Sequence, residues 1–156
     1  MNITIRAAGF IKSGPERTLI DDYLGRAKIV GRNIGIPNIS ESAVDIRSAK
    51  SRTLETDTIL SVTKPGDVLV VLDERGKALT SRQMATQIAH WRDDGVSNLV
   101  FAIGGADGFE PSALPANAVK WQLGKPVWPH KLVRVMIAEQ IYRALSILAG
   151  TPYHRD

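Results

Sequence analysis

The sequence predicts an α/β domain, a mostly parallel sheet with helices on both faces. Two observations carry that prediction. Val68–Leu72 and Leu99–Ile103 are uninterrupted apolar runs, the mark of strands covered on both sides. Around them, apolar side chains recur at helical spacing, at Met84, Ile88 and Trp91, and again at Leu132, Val133, Met136, Ile137, Ile141, Leu145 and Leu148. With 156 residues, no internal repeat and no Pro/Ser linker, the chain reads as one domain over 1–156. A chain of that size can hide roughly 70% of its unfolded surface without staples.

Each element follows from local chemistry. Asn2 to Arg6 alternates polar and apolar residues, a strand signal, and Gly9 to Pro15 reads as a loop. From Glu16, residues Leu19, Ile20, Tyr23, Leu24 and Ala27 form one helical stripe, ended by Gly31, Gly35 and Pro37. A weak strand is expected at Ala43 to Ile46, then a polar helix through Leu54 and Leu60, then a turn at Pro65-Gly66-Asp67. Thr80 with Gln83 fits a capping box for the next helix, which Gly95 stops. Val119, Trp121 and Leu123 alternate as a third central strand. A last helix runs from Lys131 to Ala149 and closes at Gly150.

Composition narrows the function. The absence of Cys excludes a disulfide scaffold, a thiolate metal site and a cysteine nucleophile. His90, His130 and His154 show no metal-ligand spacing, so no metal is expected. No apolar run approaches the roughly 18 residues of a membrane span. Met1–Ile5 lacks the features of a signal peptide, so a cytoplasmic protein is expected. The net charge of +4 is uneven: 10 basic against 7 acidic residues over 1–66, 5 against 7 over 67–124, and 5 against 2 over 125–156. Basic ends around an acidic-leaning centre suit a polyanion docking on the ends, or an ordinary solvated surface.

In parallel sheets, ligands bind at the carboxyl ends of the strands. Here each of the three later strands runs into an unusual loop: Asp73–Lys77 after Leu72, Gly104–Phe109, and Gly124–His130. Gly104-Gly105 directly after a buried strand fits either close backbone approach to a small molecule or a tight turn. It is neither a dinucleotide fingerprint nor a P-loop. Pro126 and Pro129 pre-shape the third loop, which suits an adenine wedged between backbone segments or a rigid connector. The final Tyr153-His154-Arg155 sets an aromatic, an imidazole and a guanidinium side by side, all suited to a base or a phosphate.

Phe101–Phe109, Pro129–Ala144 and Pro152–Arg155 together resemble the ribosomal large-subunit pseudouridine methyltransferase H family of the SPOUT superfamily. The resemblance spans the chain, is strongest from Val68 onward and is weak through residues 10–60. It implies an α/β fold with a C-terminal trefoil knot, a homodimer, S-adenosylmethionine as methyl donor, and N3 methylation of a pseudouridine in large-subunit (23S) rRNA on the ribosome. Carried over by position, it implies donor binding by Leu72, Gly104, Gly105, Gly124, Lys125, Pro126, Val127, Trp128 and Pro129. Gly124–Trp128 departs from the commoner, smaller Ser/Thr/Leu-rich run, so main-chain contacts are expected to survive there better than side-chain ones. His130 and Arg155 are expected to touch RNA. His154 or Glu139 is expected as general base, with Arg143 and Tyr153 holding the substrate or its developing negative charge. Glu139 and Arg143, at i and i+4, also fit a plain helical ion pair. The competing readings are a non-catalytic nucleotide-binding module and an rRNA-binding assembly factor. The first leaves the tail unexplained, and the second leaves the loops.

Overall fold

The computed structural model describes residues 1–155. Its elements are β1 (Asn2–Ala8), α1 (Pro15–Arg32), β2 (Asn38–Val44), α2 (Arg52–Leu60), β3 (Val68–Ala78), α3 (Ser81–Asp93), β4 (Asn98–Ile103), a 3-10 turn at Pro111–Ala113, β5 (Val119–Gln122) and α4 (His130–Leu148). The five strands form one sheet in the order β2-β1-β4-β3-β5, and every pairing between them is parallel.

Alternation along the buried strands sorts the core into two layers. Leu99, Phe101 and Ile103 of β4, with Ile3 and Ile5 of β1 and Val70 of β3, pack under α1, α3 and α4 through Ile20, Leu24, Met84, Ile88, Ile137 and Ile141. Val100 and Ala102, with Leu69 and Val71, turn the other way against Ile59 and Leu60 of α2 and against Phe109. Three helices thus cover one face and α2 covers the other. The capping box of α3 is present in full: Thr80 Oγ1 accepts from Gln83 N at 3.2 Å, and Thr80 N donates to Gln83 Oε1 at 2.9 Å.

Four expectations need correction. β2 begins at Asn38, upstream of the expected Ala43, because this edge strand buries only Ile39 fully and so shows no apolar run. The segment Asp73–Lys77 is not a plain loop: β3 continues to Ala78 through a bulge at which Leu72 and Lys77 both register with Trp121. Gly76 makes this possible, since a Cβ there would lie 2.5 Å from the Trp121 carbonyl carbon. β5 is an edge strand rather than a central one, and Leu123 lies beyond its end. Leu132, expected in the core, is 41% exposed on the first turn of α4.

Candidate active site

The carboxyl ends of β4 and β5, with the bulged middle of β3 between them, surround a cleft of about 270 Å³. β3 brings Leu72 to it, followed by Asp73–Arg75, and β4 brings Ile103 and the turn from Gly104 to Phe109. Beyond β5, the loop contributes Gly124, Pro126, Val127 and Trp128, and α4 adds His130 and Val133. The volume lies just below the usual range of ligand pockets, about 300–1,000 Å³.

Gly104 is fully packed: a Cβ on it would lie 2.9 Å from the carbonyl carbon of Gly108. The close approach that excludes a side chain there is made by the turn itself, which Gly108 N closes onto Gly105 O at 3.1 Å. The tight-turn reading of the glycine pair therefore has its own physical basis, and the turn still presents main chain to the cleft. The proline loop is stapled by Trp128, whose indole Nε1 donates to Leu123 O at 3.1 Å. That loop leaves Val127 83% exposed. Of the residues expected to bind a donor, Leu72, Gly104, Gly105, Gly124, Pro126, Val127 and Trp128 line the cleft, whereas Lys125 and Pro129 do not. His130, expected on RNA, lines it too. Partial desolvation against the cleft lowers its pKa, helped by the charges of Arg134 and Lys131. Main chain, Leu72, Ile103 and Val133 for an apolar ring, and polar groups at the rim form a lining that fits S-adenosylmethionine. Among the described residues no cluster of His, Asp or Glu could hold a metal ion.

The tail residues form a second constellation. Glu139 Oε1 accepts from Arg143 Nε at 2.9 Å, lies 2.7 Å from Arg143 Nη2, and accepts from Tyr153 Oη at 2.9 Å. Glu139 Oε2 accepts from Gln140 Nε2 at 2.7 Å. The expected i, i+4 ion pair therefore exists, but inside a larger network. Arg143 also stacks its guanidinium 4.8 Å over the Tyr153 ring and brings Nη1 to 3.4 Å from His154 Nδ1. Burial first, then the Glu139 carboxylate, raises the Tyr153 phenol, while hydrogen bonding to Glu139 raises the Arg143 guanidinium. Tyr153 leans on Tyr142 with ring centroids 4.4 Å apart. Arg155 is exposed.

Cleft and tail do not meet within one chain. His130 stands at the cleft and Arg143 lies thirteen residues further along α4, about 20 Å at the rise of an α-helix. Two residues of the region went unrecognised in sequence. Arg134 is fully buried and donates to Ala8 O at 2.8 Å, Gly9 O at 3.0 Å and Glu41 Oε1 at 2.9 Å, tying α4 to the end of β1. Arg17 also pairs with Glu41. Arg52 of α2 reaches the cleft from the opposite layer. Arg134 falls within the Pro129–Ala144 run that carries the resemblance, but neither residue's role shows locally, because each is defined by partners far away in the chain.

The fold and cleft define a ligand-binding α/β domain with its site at the carboxyl edge of a parallel sheet. The chain belongs to the SPOUT methyltransferase family: the family described as "Predicted SPOUT methyltransferase" matches residues 1–154. It is similar to proteins named ribosomal RNA large subunit methyltransferase H. The one from Maricaulis maris is 56% identical over 100% of both chains. One from Cereibacter sphaeroides is 46% identical over 99% of both. That of Paracoccus denitrificans is 44% identical over 100% of both. A solved Legionella pneumophila structure, described as a methyltransferase in complex with SAM, aligns over 95% of this chain and 66% of its own at TM-score 0.47 and 13% identity, too remote to carry a ligand position across. No helix among the described residues is long and apolar enough to cross a membrane.

Proposed function

We propose that this chain is a cytoplasmic homodimer, its C-terminal segment threaded as a trefoil knot, that transfers a methyl group from S-adenosylmethionine to N3 of a pseudouridine in large-subunit rRNA on the ribosome. The observation that carries the reading is the cleft at the ends of β4 and β5 and the bulge of β3, walled by the glycine turn and the proline loop, in a chain similar over its full length to rRNA methyltransferases. When bound, the donor supplies an electrophilic methyl on a sulfonium: its C–S electron pair returns to sulfur as the N3–C bond forms.

The protein's part is to align two reactants, exclude water and handle the N3 proton. Glu139 is a poor acceptor for that proton, because Arg143, Tyr153 and Gln140 already occupy its oxygens. His154 is the better base. Arg143 and Tyr153 hold the nucleobase beside it, and Arg155 meets phosphate. The 20 Å span along α4 supports a composite site, in which the tail of one copy serves the cleft of the other. Val127, Trp128 and Leu132, exposed around the start of α4, suit a face covered by a second copy.

Mass mapping of large-subunit rRNA from a deletion strain tests the substrate: one unmethylated pseudouridine, restored by this chain, is expected. Titration calorimetry with S-adenosylhomocysteine separates the alternatives, since an rRNA-binding factor alone binds none. Mixing a cleft-defective copy with a tail-deleted copy is expected to restore part of the activity; no restoration would defeat the composite site.

A further inference from the structure

We infer that Arg52 is the anchor for the carboxylate at the amino-acid end of the methyl donor, so that α2 completes the donor site. The inference rests on the methyltransferase reading above and assigns a role within the weakly recognisable region 10–60. Arg52 opens α2, whose N-terminus is capped by Ser51 Oγ accepting from Leu54 N at 3.2 Å. From there its side chain crosses to the glycine turn. Nη2 donates to Phe109 O at 2.5 Å and lies 3.9 Å from where a Cβ on Gly108 would stand.

That bond ties the exposed guanidinium to the rim of the cleft and leaves its other N–H donors without a protein acceptor among the described residues. Arg52 makes no ion pair among the described residues, and its hydrogen bond goes to Phe109 O. Asp73, Glu74 and Asp107 line the same cleft, yet none of them bonds to Arg52. Glu74 lies 3.8 Å from Arg75, and Asp73 accepts from Arg75 N at 2.8 Å. Asp107 is exposed on the turn. Glu55, one helical turn after Arg52, rests Oε2 against Gly105, 3.0 Å from where its Cβ would stand, instead of bonding to Arg52. Of the two arginines in the lining, Arg75 pairs with Glu74, whereas Arg52 has no acidic partner among the described residues.

A pre-oriented guanidinium at the edge of a pocket matches a planar carboxylate, whose two oxygens take parallel N–H donors. The donor carries one such group, at the end opposite its adenine. Seating it on Arg52 places the amino-acid end against the glycine turn, leaving the proline loop for the ring.

The test is calorimetry on the full chain with two probes, S-adenosylhomocysteine and 5′-methylthioadenosine, which lacks the amino-acid end. Arg52→Gln is expected to weaken S-adenosylhomocysteine about 10- to 100-fold and to leave 5′-methylthioadenosine within about twofold of wild type. Arg52→Lys, which keeps the charge but not the fork, is expected to fall between. Thermal melts of both variants establish that they fold. Unchanged S-adenosylhomocysteine affinity overturns the assignment, and so does equal weakening of both probes, which would give Arg52 a role in holding the turn through Phe109. A raised ribosome KM with unchanged S-adenosylhomocysteine affinity also overturns it, by giving the guanidinium to an RNA phosphate. If the wild type binds neither probe, the methyltransferase reading itself falls, an outcome distinct from failure at Arg52.

Discussion

Adding one methyl group to either of two adjacent glycines is expected to have unequal consequences. At Gly104 the new Cβ would stand 2.9 Å from Gly108 C, 3.1 Å from Gly108 Cα and 3.2 Å from Gly108 O, all backbone of the same closed turn. Relief requires the turn to open and its Gly108 N to Gly105 O bond to stretch. Overpacking of this kind costs about 1–3 kcal/mol. The movement falls on the wall of the cleft, so ligand affinity drops as well, about tenfold for each 1.4 kcal/mol passed on to binding. At Gly105 the same methyl meets Glu55 Oε2 and Ile46 Cδ1, each at 3.0 Å. Both are ends of flexible side chains, and a few tenths of an ångström of rotation clears them, at no more than about 1 kcal/mol. Urea unfolding of Gly104→Ala and Gly105→Ala, with calorimetry against S-adenosylhomocysteine, measures both quantities. The reasoning is refuted if Gly104→Ala unfolds at the wild-type midpoint and binds normally, or if Gly105→Ala is the more damaging of the two.

Arg134→Ala removes a fully buried cation from Glu41 and from two backbone carbonyls; a loss of about 3 kcal/mol in urea unfolding is expected, and a loss below about 1 kcal/mol would mean the network contributes little. His130, whose pKa is lowered in the fold, binds protons less readily than in the unfolded chain. Its contribution is therefore present above the ordinary value of 6.5 and is lost as pH falls below it. Unfolding midpoints at about pH 7.5 and about pH 5 are expected to differ less in His130→Asn than in wild type; an equal difference would discount His130. His154→Ala is expected to slow single-turnover methylation at saturating RNA by about 100-fold or more, and an unchanged rate would remove His154 from the chemistry. Affinity for rRNA is expected to fall steeply with added salt; salt-independent binding would mean the basic segments are not the docking surface.

Much of the scaffold is written locally. The continuous apolar runs at Val68–Leu72 and Leu99–Ile103 become buried strands, and Thr80 with Gln83 starts α3, because strand burial and helix capping depend on neighbours a few residues away. The loops after β4 and β5, and the tail from Tyr153 to Arg155, also stand out by residue type alone. Strand order does not: β4 inserts between β1 and β3, which leaves β5 at an edge rather than in the centre. Partners distant in sequence decided the rest. Gly76 is required only because Trp121 passes beside it, Arg134 is buried only because Ala8, Gly9 and Glu41 receive it, and Arg52 enters the cleft only because α2 packs behind the turn at Phe109. The straight run of α4 likewise sets the tail network far from its own cleft, a distance that residue spacing implies only once the segment is known to be one unbroken helix. Periodicity reports which side of an element is buried, whereas the identity of what buries it is set by long-range pairing of the sheet.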